Sequence, residues 1–197
     1  MVMDEVEAFA EKLRTGSYSE KTEAVEKLGE LKDARAAGPL VKALGDAHSA
    51  VREKAAGALA DMGKPAVEPL IGALGCEYWD VRYWAAWALG EIGDVEAVGP
   101  LIGALGDGDR FVREKAAEGL VKMGEPAAGK LVEAANEPEK RHLRWEISGI
   151  LRKIDEEAKR KPHDFGIRNV TVIAKPEVPK EFKKLALKDA QKGRVTG

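Results

Sequence analysis

The sequence predicts an all-α superhelix, a solenoid of about five stacked helical pairs. Three observations predict it. The chain repeats itself: PLVKALGDAHSAVREKAAGALADMG from Pro39 returns as PLIGALGCEYWDVRYWAAWALGEIG from Pro69 and as PLIGALGDGDRFVREKAAEGLVKMG from Pro100, at spacings of 30 and 31 residues. Each copy carries two helical patterns and no alternating strand pattern. Finally, 44% hydrophobic residues suffice for a core, yet no single pair can bury its own apolar face, so neighbours must stack.

The copies run in order. A degenerate first copy contains YSEKTEAVEKLGEL, whose Leu28 stands 31 residues before Leu59. The three clear copies follow. A weaker fifth, KLVEAANEPEKRHLRWEISGILRKI, begins at Lys130. Together they occupy residues 1–157. In each copy the first helix is short, with Pro65 suited to a first turn, where a missing N–H costs nothing. The second helix is longer. In the third copy Val81, Ala85, Ala88, Leu89 and Ile92 fall on one helical face. Gly63, Gly93 and Gly124 fit caps for the second helices, and Gly45, Gly75 and Gly106 are expected to cap the first helices in the same way.

The pattern D-x-x-x-x-V-R-x-x-A-A-x-A-L-x-x-(I/M)-G, followed by A-V-x-P-L-I, resembles the HEAT-like repeats of the phycobilin-lyase type. Asp107, Val112, Arg113, Ala116, Ala117, Leu120, Met123 and Gly124 carry it, with Gly119 in place of the third Ala. The resemblance implies a HEAT-like solenoid whose second helices line a concave surface. For activity it leaves two classes open, bilin lyases and interaction scaffolds.

Little else in the chain points to chemistry. His48, His142 and His163 stand in no metal-ligand spacing, and no His-Glu dipeptide exists. No phosphate-binding glycine loop or nucleophile elbow is present. The expectation is therefore no catalytic residue, no metal and no cofactor. Lys and Arg number 32 and Asp and Glu 34, a formal charge of -2, which argues against a dedicated nucleic-acid protein. A lone Cys76, an acidic N-terminus and the lack of a long apolar run suggest a cytoplasmic protein without a membrane span. Many Glu and Lys beside few Asn and Gln give a thermophile-like composition.

Two features remain as candidate sites. Arg52, Arg82, Arg113 and Arg144 recur at one point of successive copies, with Lys21 in the degenerate one. A cation ladder can read phosphates, but Asp46 and Asp107 lie six residues before Arg52 and Arg113. Guanidinium groups bridging turn carboxylates, within or between repeats, would set the stacking register. The second feature is aromatic. Tyr78, Trp79, Tyr83, Trp84 and Trp87 fall within ten residues. With Val81 at zero, Tyr83, Trp87 and Trp84 lie at about 200°, 240° and 300°, away from the core face. Neighbouring copies place Glu53, Lys54 and Gly57, or Glu114, Lys115 and Glu118, at those positions. The aromatics are therefore expected to be exposed, with Tyr83, Trp84 and Trp87 central, Tyr78 and Trp79 at the rim, and Trp145 a second anchor. Outward positions of the second helices hold nine acids and four bases. Such a groove, with Glu53, Glu114 and Glu118 steering, suits a basic or amphipathic protein or peptide and repels a phosphate backbone.

Residues 158–197 differ in kind, with 11 Lys and Arg against 4 Asp and Glu. RNVTVIA from Arg168 reads as an extended segment and KEFKKLALKDAQK from Lys180 as a short amphipathic helix. This extension is expected to cap the last repeat, and the other reading is a nucleic-acid-binding arm. The leading functional expectation is thus a non-enzymatic scaffold that binds protein or peptide. The rivals are a bilin or tetrapyrrole lyase or chaperone, and a nucleic-acid binder acting through the basic tail.

Overall fold

The computed structural model describes residues 4–160. The strand and helix expected beyond residue 160 lie outside the described residues. Within them the chain forms ten α-helices and no strand. In chain order these are α1 (Glu5–Thr15), α2 (Tyr18–Leu31), α3 (Ala37–Ala43), α4 (Ser49–Met62), α5 (Lys64–Ala73), α6 (Trp79–Ile92), α7 (Val98–Ala104), α8 (Arg110–Met123), α9 (Glu125–Asn136) and α10 (Arg144–Arg160). They make five pairs, as the repeat predicts. None of these helices is long and apolar enough to cross a membrane.

The pairs stack in two layers. The second helices α2, α4, α6, α8 and α10 each pack on the next, and each first helix packs on its own partner. One leucine in each of α2 to α9 marks the repeat in the core. Leu40, Leu70, Leu101 and Leu131 of the first helices and Leu28, Leu59, Leu89 and Leu120 of the second are all fully buried. Each such burial contributes about 2 kcal/mol of transfer free energy. Among the described residues no polar or charged residue is buried, so the core is wholly apolar.

Local chemistry starts several of the helices. α1 and α2 open with capping boxes, Asp4 with Glu7 and Ser17 with Glu20. Two kinds of junction then alternate between copies. Asp33 and Asp94 each cap a 3-10 turn (Ala34–Ala36 and Val95–Ala97) that runs into α3 and α7. Gly63 and Gly124 instead lead directly into α5 and α9, with Pro65 and Pro126 in the first turn as expected. Those two glycines adopt φ of 70° and 65°, a region that disfavours other residues.

The expectation for Gly45, Gly75 and Gly106 is corrected. None has positive φ. The first helices end on right-handed leucines, Leu44, Leu74 and Leu105, and the glycine N–H closes a tight turn to the carbonyl three residues back. A left-handed cap is unnecessary there because the chain continues its rotation into the turn.

Candidate interaction face and the inter-repeat ladder

The recurrent cations sit in the first turn or so of the second helices, where the chain leaves the turn within each pair. Each guanidinium there has an inner and an outer edge. The inner edge staples its own turn. Arg52 donates to the carbonyls of Asp46 and Ala47 at 2.7 and 3.3 Å. Arg82 donates to those of Cys76 and Glu77, both at 2.8 Å. Arg113 donates to those of Asp107 and Gly108 at 2.7 and 3.1 Å. The partner six residues back is therefore a backbone carbonyl rather than the Asp carboxylate the spacing suggests.

The outer edge reaches the carboxylate of the next copy. Arg82 donates to Asp107 through Nε and Nη2, at 2.7 and 2.9 Å. Lys21 plays the same part toward Asp46 at 2.5 Å. Both ion pairs are largely buried. Hydrogen bonds from Arg82 pull the Asp107 carboxyl below its usual range, against the opposing effect of burial. Burial likewise pushes the Asp46 carboxyl up, but Lys21 and both the N–H and ring of His48 outweigh it and hold it at about 2.

Three members leave this pattern: Arg113, whose contacts are the carbonyls of its own turn, and Arg52 and Arg144. The copy after Arg52 carries Cys76 where its neighbours carry Asp. Arg52 Nε is consequently buried without a hydrogen-bond partner, 3.9 Å from Asp80. Arg144 does not join the ladder at all. The turn of the fifth copy is replaced by a 3-10 segment, Pro138–Leu143, and exposed Arg144 reaches back to the carbonyl of Ala135 at 2.7 Å.

The aromatic residues form one connected run. Phe111 of α8 lies 6.0 Å from Trp79, Trp79 lies 6.4 Å from Tyr83, Tyr83 lies 5.0 Å from Trp84, and Trp84 lies 5.9 Å from Trp87. Most of these contacts are edge-to-face, the arrangement aromatic quadrupoles favour. The order of exposure reverses the expectation. Tyr78 at 66% and Trp79 at 49% are exposed, while Tyr83, Trp84 and Trp87 are half-buried. Trp84 and Trp87 pack against the core. The reason is tertiary. α6 has α4 on one side and α8 on the other as well as α5 beneath. Positions that face solvent on an isolated helix become flanks of a seam. Phe111, 46% exposed, was not singled out from sequence, although it occupies the first turn of α8 beside Arg110. Trp145 stands 85% exposed on α10.

The seam between α6 and α8 is unusually close. A Cβ built on Gly90 would sit 2.5 Å from Gly119 Cα. At the equivalent crossing of α2 and α4, Gly29 faces Ala58 and a Cβ built on Gly29 would sit 3.1 Å from Ala58 Cβ, a less severe approach. Above the two glycines lies a cleft of about 150 Å³ with Trp87 as one wall. Its rim carries two ion pairs, Lys115 with Glu118 at 2.6 Å and Lys122 with Glu91.

Charges on this face are more balanced than the outward count suggests. Glu114 pairs with Arg110, Glu118 with Lys115, and Lys54 with Glu26. Of the three proposed steering acids only Glu53 has no ion-pair partner among the described residues. Two cations also lie over rings. Lys115 Nζ is 5.7 Å from the Tyr83 centroid, and the Arg110 guanidinium 5.1 Å from that of Phe111. Among the described residues no group of His, Cys, Asp and Glu is arranged to hold a metal ion.

Comparison with known proteins defines the class. Residues 6–75 and 67–152 match the family of HEAT repeats, and the chain belongs to that family. No curated protein sequence is significantly similar to it. Among solved structures, the complex of CpcE and CpcF of phycocyanin lyase from Nostoc sp. superposes with a TM-score of 0.50 at 22% identity, covering 82% of this chain and 69% of that one. Cex1p gives 0.50 at 11% identity, covering 83% of this chain and 37% of its own. A designed armadillo repeat protein in complex with the peptide (KR)4 gives 0.41 at 20% identity, over 73% and 80%. These are likenesses of fold.

Proposed function

We propose that the protein is a non-enzymatic scaffold that binds a protein or peptide on the face formed by its second helices. The observation that carries this reading is the connected aromatic run from Phe111 to Trp87, with Trp79 and Tyr78 presented to solvent. The positions of Trp79, Tyr83, Trp84 and Trp87 hold Ser, Arg, Glu, Lys or Gly in the neighbouring copies. Core residues recur because packing demands them, whereas an outward departure toward Trp and Tyr in one copy is explained by a contact made there. The exposed members, Tyr78, Trp79 and Phe111, make first contact, and Tyr83, Trp84 and Trp87 form the packed base beneath them. Trp145 offers a second anchor. Glu53, with Glu114 and Glu118 at the periphery, favours a basic or amphipathic partner. The lone cysteine suits a reducing cytoplasm.

The test is a peptide array probed with the full chain and with Trp79→Ala. Trp79 is solvent-facing, so this variant should melt like the wild type. It should lose about 2 kcal/mol of affinity for the peptides the parent binds, as for an aromatic anchor. Unchanged binding across the array would refute the assignment of this face.

A further inference from the structure

Resting on that reading of the second-helix face, we infer that its occupant is a proline-rich segment in the polyproline II conformation. It lies across the starts of α6 and α8, with proline rings on Trp79 and Phe111 and its carbonyls accepting from the indole N–H and tyrosine hydroxyl groups of the run.

The exposed rings fix the place. Among the described residues the exposed aromatics are Tyr18, Tyr78, Trp79, Phe111 and Trp145, and each stands at the start of a second helix. Trp79 and Phe111, 6.0 Å apart, join the starts of α6 and α8 into one ridge. The depression deeper between these helices is lined by Glu91, Lys115, Glu118 and Lys122 besides Trp87, so it offers no apolar groove to a helical partner. The described residues contain no strand, and so no sheet edge on which an extended partner could pair. An acidic motif would need free arginines, whereas Arg82 and Arg110 are held by Asp107 and Glu114. The mode that a ridge of rings does suit is a polyproline II helix packed on aromatic faces.

Hydrogen-bonding capacity points the same way. The indole N–H groups of Trp79, Trp84 and Trp87 and the hydroxyls of Tyr78 and Tyr83 have no acceptor among the described residues. The only buried polar side-chain atom left unpaired there is Arg52 Nε, so the donors of half-buried Tyr83, Trp84 and Trp87 reach solvent. The carboxylates beside the rings are by contrast engaged. Glu114 accepts from Arg110, Glu118 from Lys115 and Asp107 from Arg82. Asp109 accepts from the N–H groups of Phe111 and Val112. The run therefore presents spare donors and few spare acceptors, and its complement is a chain rich in open carbonyls and poor in N–H groups. A polyproline II helix makes no internal hydrogen bonds, so its carbonyls are open, and proline has no N–H to leave unsatisfied.

Net charge does not decide the contact. Near the exposed rings, charges of both signs stay without an ion pair among the described residues, Glu77 beside Tyr78 and Arg113 two residues from Phe111. Acids at the periphery influence approach, while shape and hydrogen bonding decide what stays bound. A proline-rich segment also loses little conformational freedom on docking, because its φ angles are already fixed.

The test titrates three ten-residue peptides, decaproline, alternating Gly and Ser, and alternating Lys and Arg, into the isotope-labelled full chain while the four indole N–H resonances are followed. Decaproline should shift the Trp79 resonance saturably, and the other two peptides should bind at least tenfold more weakly. Trp79→Phe keeps a ring and removes the N–H. Read from the remaining indoles, it should weaken decaproline binding about fivefold, the size of one lost hydrogen bond. No saturable shift with decaproline, equal binding of either other peptide, or unchanged affinity in Trp79→Phe overturns the inference. If the array still shows binding that depends on Trp79 but to segments without proline, the interaction face stands and this partner assignment falls. If no binding depends on Trp79, both fall.

Discussion

At the scale of single residues, the ladder shows what one substitution does to a repeated contact. Asp46 and Asp107 each accept a cation from the preceding copy, and Cys76 breaks the series. Arg52 is left with a buried Nε that no group satisfies. Cys76→Asp should therefore stabilise the protein by about 1 kcal/mol through a charge-assisted hydrogen bond. Urea denaturation measures it, with Cys76→Ser as the reference. Equal midpoints for the two variants would show that Asp80 already meets the need of Arg52. Asp46 contributes to the acid response. Its carboxyl is held at about 2 in the folded chain against an ordinary 3.8. A carboxyl lowered on folding stabilises the native state above its unfolded pKa and ceases to do so as pH falls through its folded value. The contribution, about 2 kcal/mol, should be complete above pH 5 and fade between about pH 4 and pH 2. Asp46→Asn should cost that amount at pH 7 and progressively less in acid. A cost independent of pH would refute the linkage.

At the scale of helices, the α6–α8 crossing is the feature most sensitive to a single methyl group. A Cβ on Gly90 would meet the backbone of Gly119, which cannot rotate away. Gly90→Ala should force the two helices apart and cost about 1–3 kcal/mol, the range of overpacked cores. Gly57, inside α4, faces open space. Gly57→Ala should stabilise by up to about 1 kcal/mol, the difference in helix propensity. Thermal melts of the two variants should move in opposite directions, and a loss in both would contradict the packing described here. The same crossing explains why a helical wheel misplaces the outward aromatics. A wheel treats each helix as resting on one surface, whereas α6 is gripped on three sides, so Trp84 and Trp87 became part of a seam.

At the scale of the whole array, stability is the sum of repeat and neighbour terms. Arg82 joins the third copy to the fourth, whereas Arg113 contacts only the carbonyls of its own turn. Arg82→Ala should accordingly raise amide exchange in α8 and beyond more than Arg113→Ala does, since it weakens coupling between copies rather than one turn. Hydrogen exchange followed by mass spectrometry reads the difference. Equal, uniform increases in both variants would mean that the ladder does not transmit stacking.

What the sequence determined by itself was the repeat, the number of helical pairs and the identity of the core. Leu28, Leu59, Leu89 and Leu120 recur every 30 or 31 residues because the same contact recurs, and periodicity is visible in one dimension. The sequence also marked α6 as unlike its neighbours through its Trp and Tyr content. Only the tertiary structure decided which of those rings reach solvent, which carboxylate each cation meets, and where two helices touch. Those facts depend on residues about 25 to 30 positions apart, Arg82 with Asp107 or Gly90 with Gly119. A pattern read along one helix contains no information about the neighbour that packs on its flank, and it is that neighbour which makes the seam, the ladder and the cleft.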